Sequence, residues 1–222
     1  MKIAYAAIIC CAISILNNPV FSQQSLTENL PKNGKNQQCI SDLLNKQLAE
    51  KDSIFRKKLY QKEAEKINSN SPNSNFYFNA EEVFNIPVVV NIIHLGESVG
   101  SGTNISDAQV ISAINDLNNK FGSSNTGVNT NIEFCLAKRT PIGGATNGIV
   151  RVDGSSISNY SQNGIITDET IASSNDSLVK AASIWPNDQY YNIWVVSEIN
   201  NNNGGSGTQG YAYFAGAPAH ID

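Results

Sequence analysis

Ile86-Pro-Val-Val-Val-Asn-Ile-Ile-His-Leu95 decides the fold of this 222-residue chain. From Val88 to Leu95 the run is apolar and β-branched, broken only by Asn91 and His94. A strand with one wet face alternates apolar and polar side chains, whereas an unbroken run suits a strand buried on both faces. Working outward, Asn104-Ile-Ser-Asp107 launches a helix that runs to Phe121. Ser106 is its expected N-cap, and Val110, Ile111, Ile114, Leu117 and Phe121 recur at the spacing of a buried face. Ile132-Glu-Phe-Cys-Leu136 alternates as a second strand, and Ile149-Val-Arg-Val152 is a shorter third, bounded by Gly148 and Gly154. Ser174 to Ile184 reads as a short helix with Asp176 in its first turn, stopped by Pro186. Tyr191 to Ser197 is the next strand, and an Asn/Gly loop, Asn200 to Gln209, precedes a last one at Tyr211 to Phe214. This order predicts an α/β (α+β-like) fold: a mixed, mostly parallel twisted sheet with two packed helices. No repeat unit is present.

Upstream of this domain (86–222) the chain changes character three times. Residues 1–22 have the parts of a secretory signal: Lys2, an apolar stretch from Ile3 to Leu16, and Val20-Phe21-Ser22 ahead of a mature start at Gln23. That stretch is shorter than the roughly 20 apolar residues a membrane helix needs, so no membrane span is expected and the protein is read as secreted. Bulky isoleucines before Cys10 and Cys11 argue against a lipoprotein anchor. Residues 23–67 form a polar lead-in and then a helix over 41–67. Leu44, Leu48, Phe55 and Leu59 make one apolar stripe on it, with Ser41 as N-cap and Asp42 in the first turn. One stripe cannot make a core, so this helix must dock on something. Residues 68–85 open on the polar run Asn68-Ser-Asn-Ser-Pro-Asn-Ser-Asn75, a linker of the kind proteases cut.

A net charge of −4 and a pI of about 5.2 exclude a nucleic-acid partner, which needs a basic footprint. The only concentration of Lys and Arg, in residues 56–66, is interleaved with Glu63 and Glu65. Once the signal is removed Cys39 and Cys135 remain, and two cysteines in an exported protein can form a disulfide.

The words quoted above, taken in order over residues 86–214, resemble the pappalysin-like (cytophagalysin) branch of the metzincin zinc metallopeptidases. The matching stretches are Ile86 to His94, Ile105-Ser-Asp-Ala-Gln109, Ile132 to Ala137, Gly148-Ile-Val-Arg151, Tyr191-Asn-Ile-Trp-Val195 and Gly210-Tyr-Ala-Tyr-Phe214. Ala215 stands where the family usually has Pro. The resemblance implies a secreted endopeptidase acting on protein or peptide substrates through one zinc ion. In that family the three histidines of an H-E-x-x-H-x-x-G-x-x-H motif hold the metal and the Glu acts as general base. The cation raises the acidity of a water at the fourth position. This sequence has two histidines, His94 and His220, and no H-E-x-x-H. His94 is expected to end a core strand, and His220 to lie in the loop approaching the absent zinc helix. The chain is therefore read as the upper, N-terminal part of such an enzyme, inactive alone, and no catalytic residue is assigned.

Two sites are implied by the resemblance. The last strand before the zinc helix edges the substrate cleft in relatives, which designates Gly210, Tyr211, Ala212 and Tyr213 as a substrate-pairing edge. An ordinary sheet strand that binds nothing is the competing reading. Relatives also carry a pro-segment whose cysteine takes the open zinc position, which designates residues 23–67 as pro-segment and Cys39 as a zinc ligand. Ile40 stands where relatives often have Gly, and a Cys39–Cys135 disulfide or an otherwise paired or free thiol stays open. Cys135 itself is expected to be buried, or bonded to a cysteine beyond this chain. Some relatives bind calcium, but loop 200–207 has no acidic residue beyond Glu198, so no calcium site is identified. A secreted, non-catalytic adhesion or glycan-binding module is the alternative function.

Overall fold

The computed structural model describes residues 37–69, 83–122, 129–167, 174–202 and 207–213, with backbone alone for 37–39 and 62–69. The expected signal, the lead-in to residue 36, most of the linker and His220 lie outside the described residues.

The architecture is α/β, built around one long strand. β2 (Phe84–His94) pairs in parallel with β3 (Ile132–Leu136) over Phe84–Val88, with β4 (Ile149–Asp153) over Val90–His94, and with β5 (Tyr191–Val195) over Val88–Ile92. Among the described residues every pairing between strands is parallel, and β2 begins two residues before the expected Ile86. Where β3 gives way to β4, Ala137 donates to Val88 O and Val90 donates to Gly148 O, both at 2.8 Å. Gly148 has φ +76°, and a Cβ there would sit 2.7 Å from the Ala137 nitrogen, so this handover requires glycine.

The unbroken apolar run behaves as predicted. Val88, Val89, Ile92 and Ile93 are fully buried, and alternate residues face two different cores. Val88, Val90 and Ile92 pack with Val110 and Ile114 of α3 (Asp107–Phe121), with Phe134 and with Ile193. On the opposite face Ile93 packs with Trp194, Ile165, Ile199, Val179 and Tyr160. Those last two come from α5 (Asp176–Ala181) and α4 (Tyr160–Asn163), and α5 ends three residues before the expected Ile184.

α3 opens on Ser106 as expected. Its hydroxyl accepts from the Gln109 N–H at 3.3 Å while Gln109 Oε1 accepts from the Ser106 N–H at 2.9 Å, a reciprocal cap. Arg151 of β4 binds the same end, donating to Asn104 Oδ1 and Ile105 O and pairing with Asp107 at 2.7 Å. Asn118 pins the other end by exchanging two hydrogen bonds with the backbone of Phe134. Ile111, assigned to the buried face, is 47% exposed; the helix buries a narrower stripe, centred on Val110 and Ile114.

The N-terminal helix is two helices. α1 (Ser41–Lys51) and α2 (Ser53–Ser69) meet at Asp52, an extended residue whose carboxylate accepts from the N–H groups of Ile54 and Phe55. An aspartate that caps the next helix competes with continuation of the first, which explains the break. Ser41 is not the N-cap: Ile40 precedes the helix and the Ser41 hydroxyl is used elsewhere. Leu44, Leu48 and Phe55 are buried, so the stripe docks as expected, while Leu59 is only half-buried.

Candidate functional site

The strand expected at Tyr211–Phe214 begins earlier: β6 is Gly207–Gly210, overlapping the end of the expected Asn/Gly loop, and Phe214 lies outside the described residues. Side-chain patterning missed it because its order comes from backbone pairing. β6 pairs in parallel with β1 (Gln37–Cys39), with Gln37 opposite Gly207, Gln38 opposite Thr208 and Cys39 opposite Gly210. The pairing continues through one backbone bond and two bonds made by side chains. Ile40 N–H donates to Gly210 O at 3.3 Å, Ala212 N–H donates to Ser41 Oγ at 2.8 Å, and Asn45 Nδ2 donates to Ala212 O at 2.9 Å. Residues 37–45 thus take up the backbone edge of the stretch designated for substrate.

Packing reinforces these bonds. Leu44 enters the core that holds Tyr211 and Trp194, while Leu48 and Phe55 form a small cluster against Tyr213. Burying such side chains contributes about 1.5–3 kcal/mol each, against about 1 kcal/mol for each net hydrogen bond. Apolar docking therefore holds the N-terminal helices in place, and the hydrogen bonds set their register. Asn45 escaped sequence reading and Ser41 was read only as a cap; the available signal was an asparagine directly beside Leu44 of the apolar stripe, and the structure buries it.

Beneath the edge, the rings of Tyr211 and Tyr213 meet edge to face with centroids 6.0 Å apart. Tyr211 is buried and donates its hydroxyl proton to Asp176 Oδ1 at 2.8 Å. Asp176 Oδ2 pairs with Lys180 Nζ at 3.2 Å, one helical turn along α5, and both side chains are buried. The ammonium lies 4.7 Å from the Tyr213 ring centre and 5.6 Å from that of Tyr211.

At the far end of β2, His94 is half-buried and its Nδ1 accepts from Gly96 N–H at 3.0 Å, a strand-ending role. Glu97 organises the loop that follows, accepting from the N–H groups of Leu95 and Thr103 and from the Thr103 hydroxyl. These bonds, led by the Thr103 N–H, lower its pKa from 4.5 to about 2. Asp153 is also lowered, first by the Ser155 hydroxyl. Among the described residues no group of three or more His, Cys, Asp and Glu side chains is placed to hold a metal ion. The described residues do not fit a zinc site, so no chemical step is assigned to one.

Cys39 is placed by its backbone opposite Gly210. Cys135 is exposed on β3, contrary to the expectation of burial. Loss of hydration and the nearby Glu133 raise its pKa, which makes it a poor nucleophile. In the Asn/Gly loop Asn200 and Asn201 adopt positive φ, and Asn202 donates to Thr208 O, a turn held by amides.

With this geometry in hand, the class of fold is that of metallopeptidases. Promirolysin of Tannerella forsythia, as a point mutant, is similar at 28% identity with a TM-score of 0.50. That likeness covers 71% of this chain and 50% of promirolysin, so the chain spans about half the length of that relative. Mature mirolysin of the same organism, in complex with a cleaved peptide, is similar at 30% identity with a TM-score of 0.38, over 51% of this chain and 42% of that one. Mirolysin in complex with a small compound gives 26% identity and a TM-score of 0.40, over 64% and 58%. Mirolysin is a metzincin-type metallopeptidase, and this chain's relatedness to metallopeptidases rests on the promirolysin comparison. No family model matches the chain, and no curated protein does.

Proposed function

We propose that this chain is the N-terminal part of a secreted zinc metalloendopeptidase of the pappalysin-like branch, in its latent form. Residues 23–67 act as its pro-segment, and residues 37–45 within it lie along the substrate edge. The observation that carries the reading is the capture of the Gly210 and Ala212 backbone by Ile40, Ser41 and Asn45. A strand edge that takes a peptide by backbone pairing is closed while another segment pairs with it. The register that sets Cys39 opposite Gly210 supports its assignment as the pro-segment cysteine that meets zinc.

A second feature supports the reading of an incomplete domain. A groove of about 340 Å³ runs beside α3, lined mainly by apolar side chains including Val90, Val110, Leu117, Ile193 and Val195. A further amphipathic helix would cover such a surface, and a zinc helix is the element the family supplies. The peptide substrate, the zinc ion and secretion come to this chain by that relationship.

The test is the reading frame beyond codon 222. An H-E-x-x-H-x-x-G-x-x-H frame there, with zinc-dependent peptide cleavage by the longer product after removal of residues 23–82, supports the proposal. Absence of that frame removes protease function from this locus. Stoichiometric tight zinc binding by the 222-residue chain would contradict the placement of the ligands outside it.

A further inference from the structure

We propose that the buried Asp176–Lys180 pair of α5 is a positioning device for segment 210–213, holding its backbone edge in the one conformation that accepts a partner strand. The proposal rests on the reading of that segment as the substrate edge and adds to it the residues that set its position.

The argument begins with what α5 needs for stability. Asn175 already bolts the start of this helix, accepting from Ile166 N–H at 2.7 Å and donating to Ser158 O and Gly164 O at 3.0 Å. Val179, fully buried, anchors its inner face. A buried ion pair adds little to such an anchor, because desolvation of two charges offsets their attraction and an apolar pair of similar volume often does as well. What an apolar pair lacks is direction. Asp176 divides its two oxygens between Tyr211 and Lys180, so the carboxylate fixes the tyrosine hydroxyl at one point. The ammonium then lies near the faces of both tyrosine rings.

Tyr211 and Tyr213 are two residues apart, so holding both rings on α5 fixes the peptide between them. That residue is Ala212, whose N–H and C=O are bound by Ser41 and Asn45. The charged pair meets the tyrosine side chains, while Ser41 and Asn45 of the N-terminal helix bind the backbone between them. A shift of the tyrosine rings would carry the Ala212 amide away from its partners. The pair therefore governs whether the edge is presented, whichever chain pairs with it.

Amide hydrogen exchange on the full 222-residue chain tests this, reading Ala212 and Ile40 against the β2 handover amides of Val90 and Ala137. Tyr211→Phe deletes one oxygen from the hydroxyl contact, and Asp176→Leu with Lys180→Met replaces the pair by apolar volume. Each is expected to speed exchange at Ala212 and Ile40 at least tenfold and leave Val90 and Ala137 unchanged. Unaltered exchange at Ala212 and Ile40 in the double variant would show that the pair merely fills space, and would overturn the proposal. So would an equal rise at all four amides, the mark of general destabilisation. Neither result depends on protease activity, so the positioning role can fail while the metallopeptidase reading stands, and the reverse.

Discussion

Single side chains carry much of the specificity of this fold, and Tyr160 shows how. It is fully buried, donates to Ile93 O at 2.6 Å and accepts from Ser197 N–H at 2.9 Å, joining the end of β2 to the chain after β5. Tyr160→Phe keeps the ring and leaves both backbone groups without that oxygen. The expected loss of stability is about 1–3 kcal/mol, measured by denaturant unfolding. Glu97 makes a pH prediction. Its folded pKa, about 2, lies below its ordinary 4.5, so its contribution is complete above the ordinary value and is lost as pH falls toward the folded one. The Leu95 and Thr103 amide signals should titrate with a midpoint near 2, and Glu97→Gln should abolish that transition. A midpoint near 4.5 would show that the carboxylate does not organise the loop. Residue roles of this kind are only half legible in sequence. Ser106 and Gln109 could be read as a cap because both partners lie within one turn. Tyr160 and Ser41 could not, because their partners lie 67 and 171 residues away.

At the scale of elements, the N-terminal helices and β6 are interdependent. Ser41→Ala combined with Asn45→Ala removes the bonds to Ala212 and leaves the apolar docking of Leu48 and Phe55 in place. Limited trypsin digestion should then cut the basic stretch Arg56–Lys58 several-fold faster, as the helices open more often from the edge. A digestion rate equal to the parent's would mean that apolar docking alone holds them. The division into α1 and α2 belongs to this scale too. The stripe Leu44, Leu48 and Phe55 was visible as periodicity, yet the turn at Asp52 depends on whether its carboxylate caps forward, which periodicity does not encode.

On the scale of the molecule, the groove beside α3 decides how the chain behaves on its own. Its lining includes Ile193 and Val195 on the same sheet face as Val90, so among the described residues α3 covers this side of the β2–β5 pair only in part. A dye that fluoresces on apolar surfaces should bind the 222-residue chain and bind a longer product, extended past Asp222, markedly less. Equal binding by both would argue that nothing further packs there. Among the described residues no helix is long and apolar enough to cross a membrane.

By itself the sequence determined what local chemistry can specify. It specified the doubly buried central strand, the capped helix after it, the strand segments that followed, and the acidic, histidine-poor composition. Each depends on neighbours within about one turn or on alternation along a strand, so each is written in consecutive residues. Tertiary structure alone decided that β6 begins at Gly207, that residues 37–45 lie along it, and that a buried charge pair on α5 lies under Tyr211 and Tyr213. Those outcomes depend on groups brought together across 35 residues for Tyr211 and Asp176 and across 167 and 171 residues for Asn45 and Ser41 with Ala212. No periodicity records such pairings, because the partners meet only after the chain has folded.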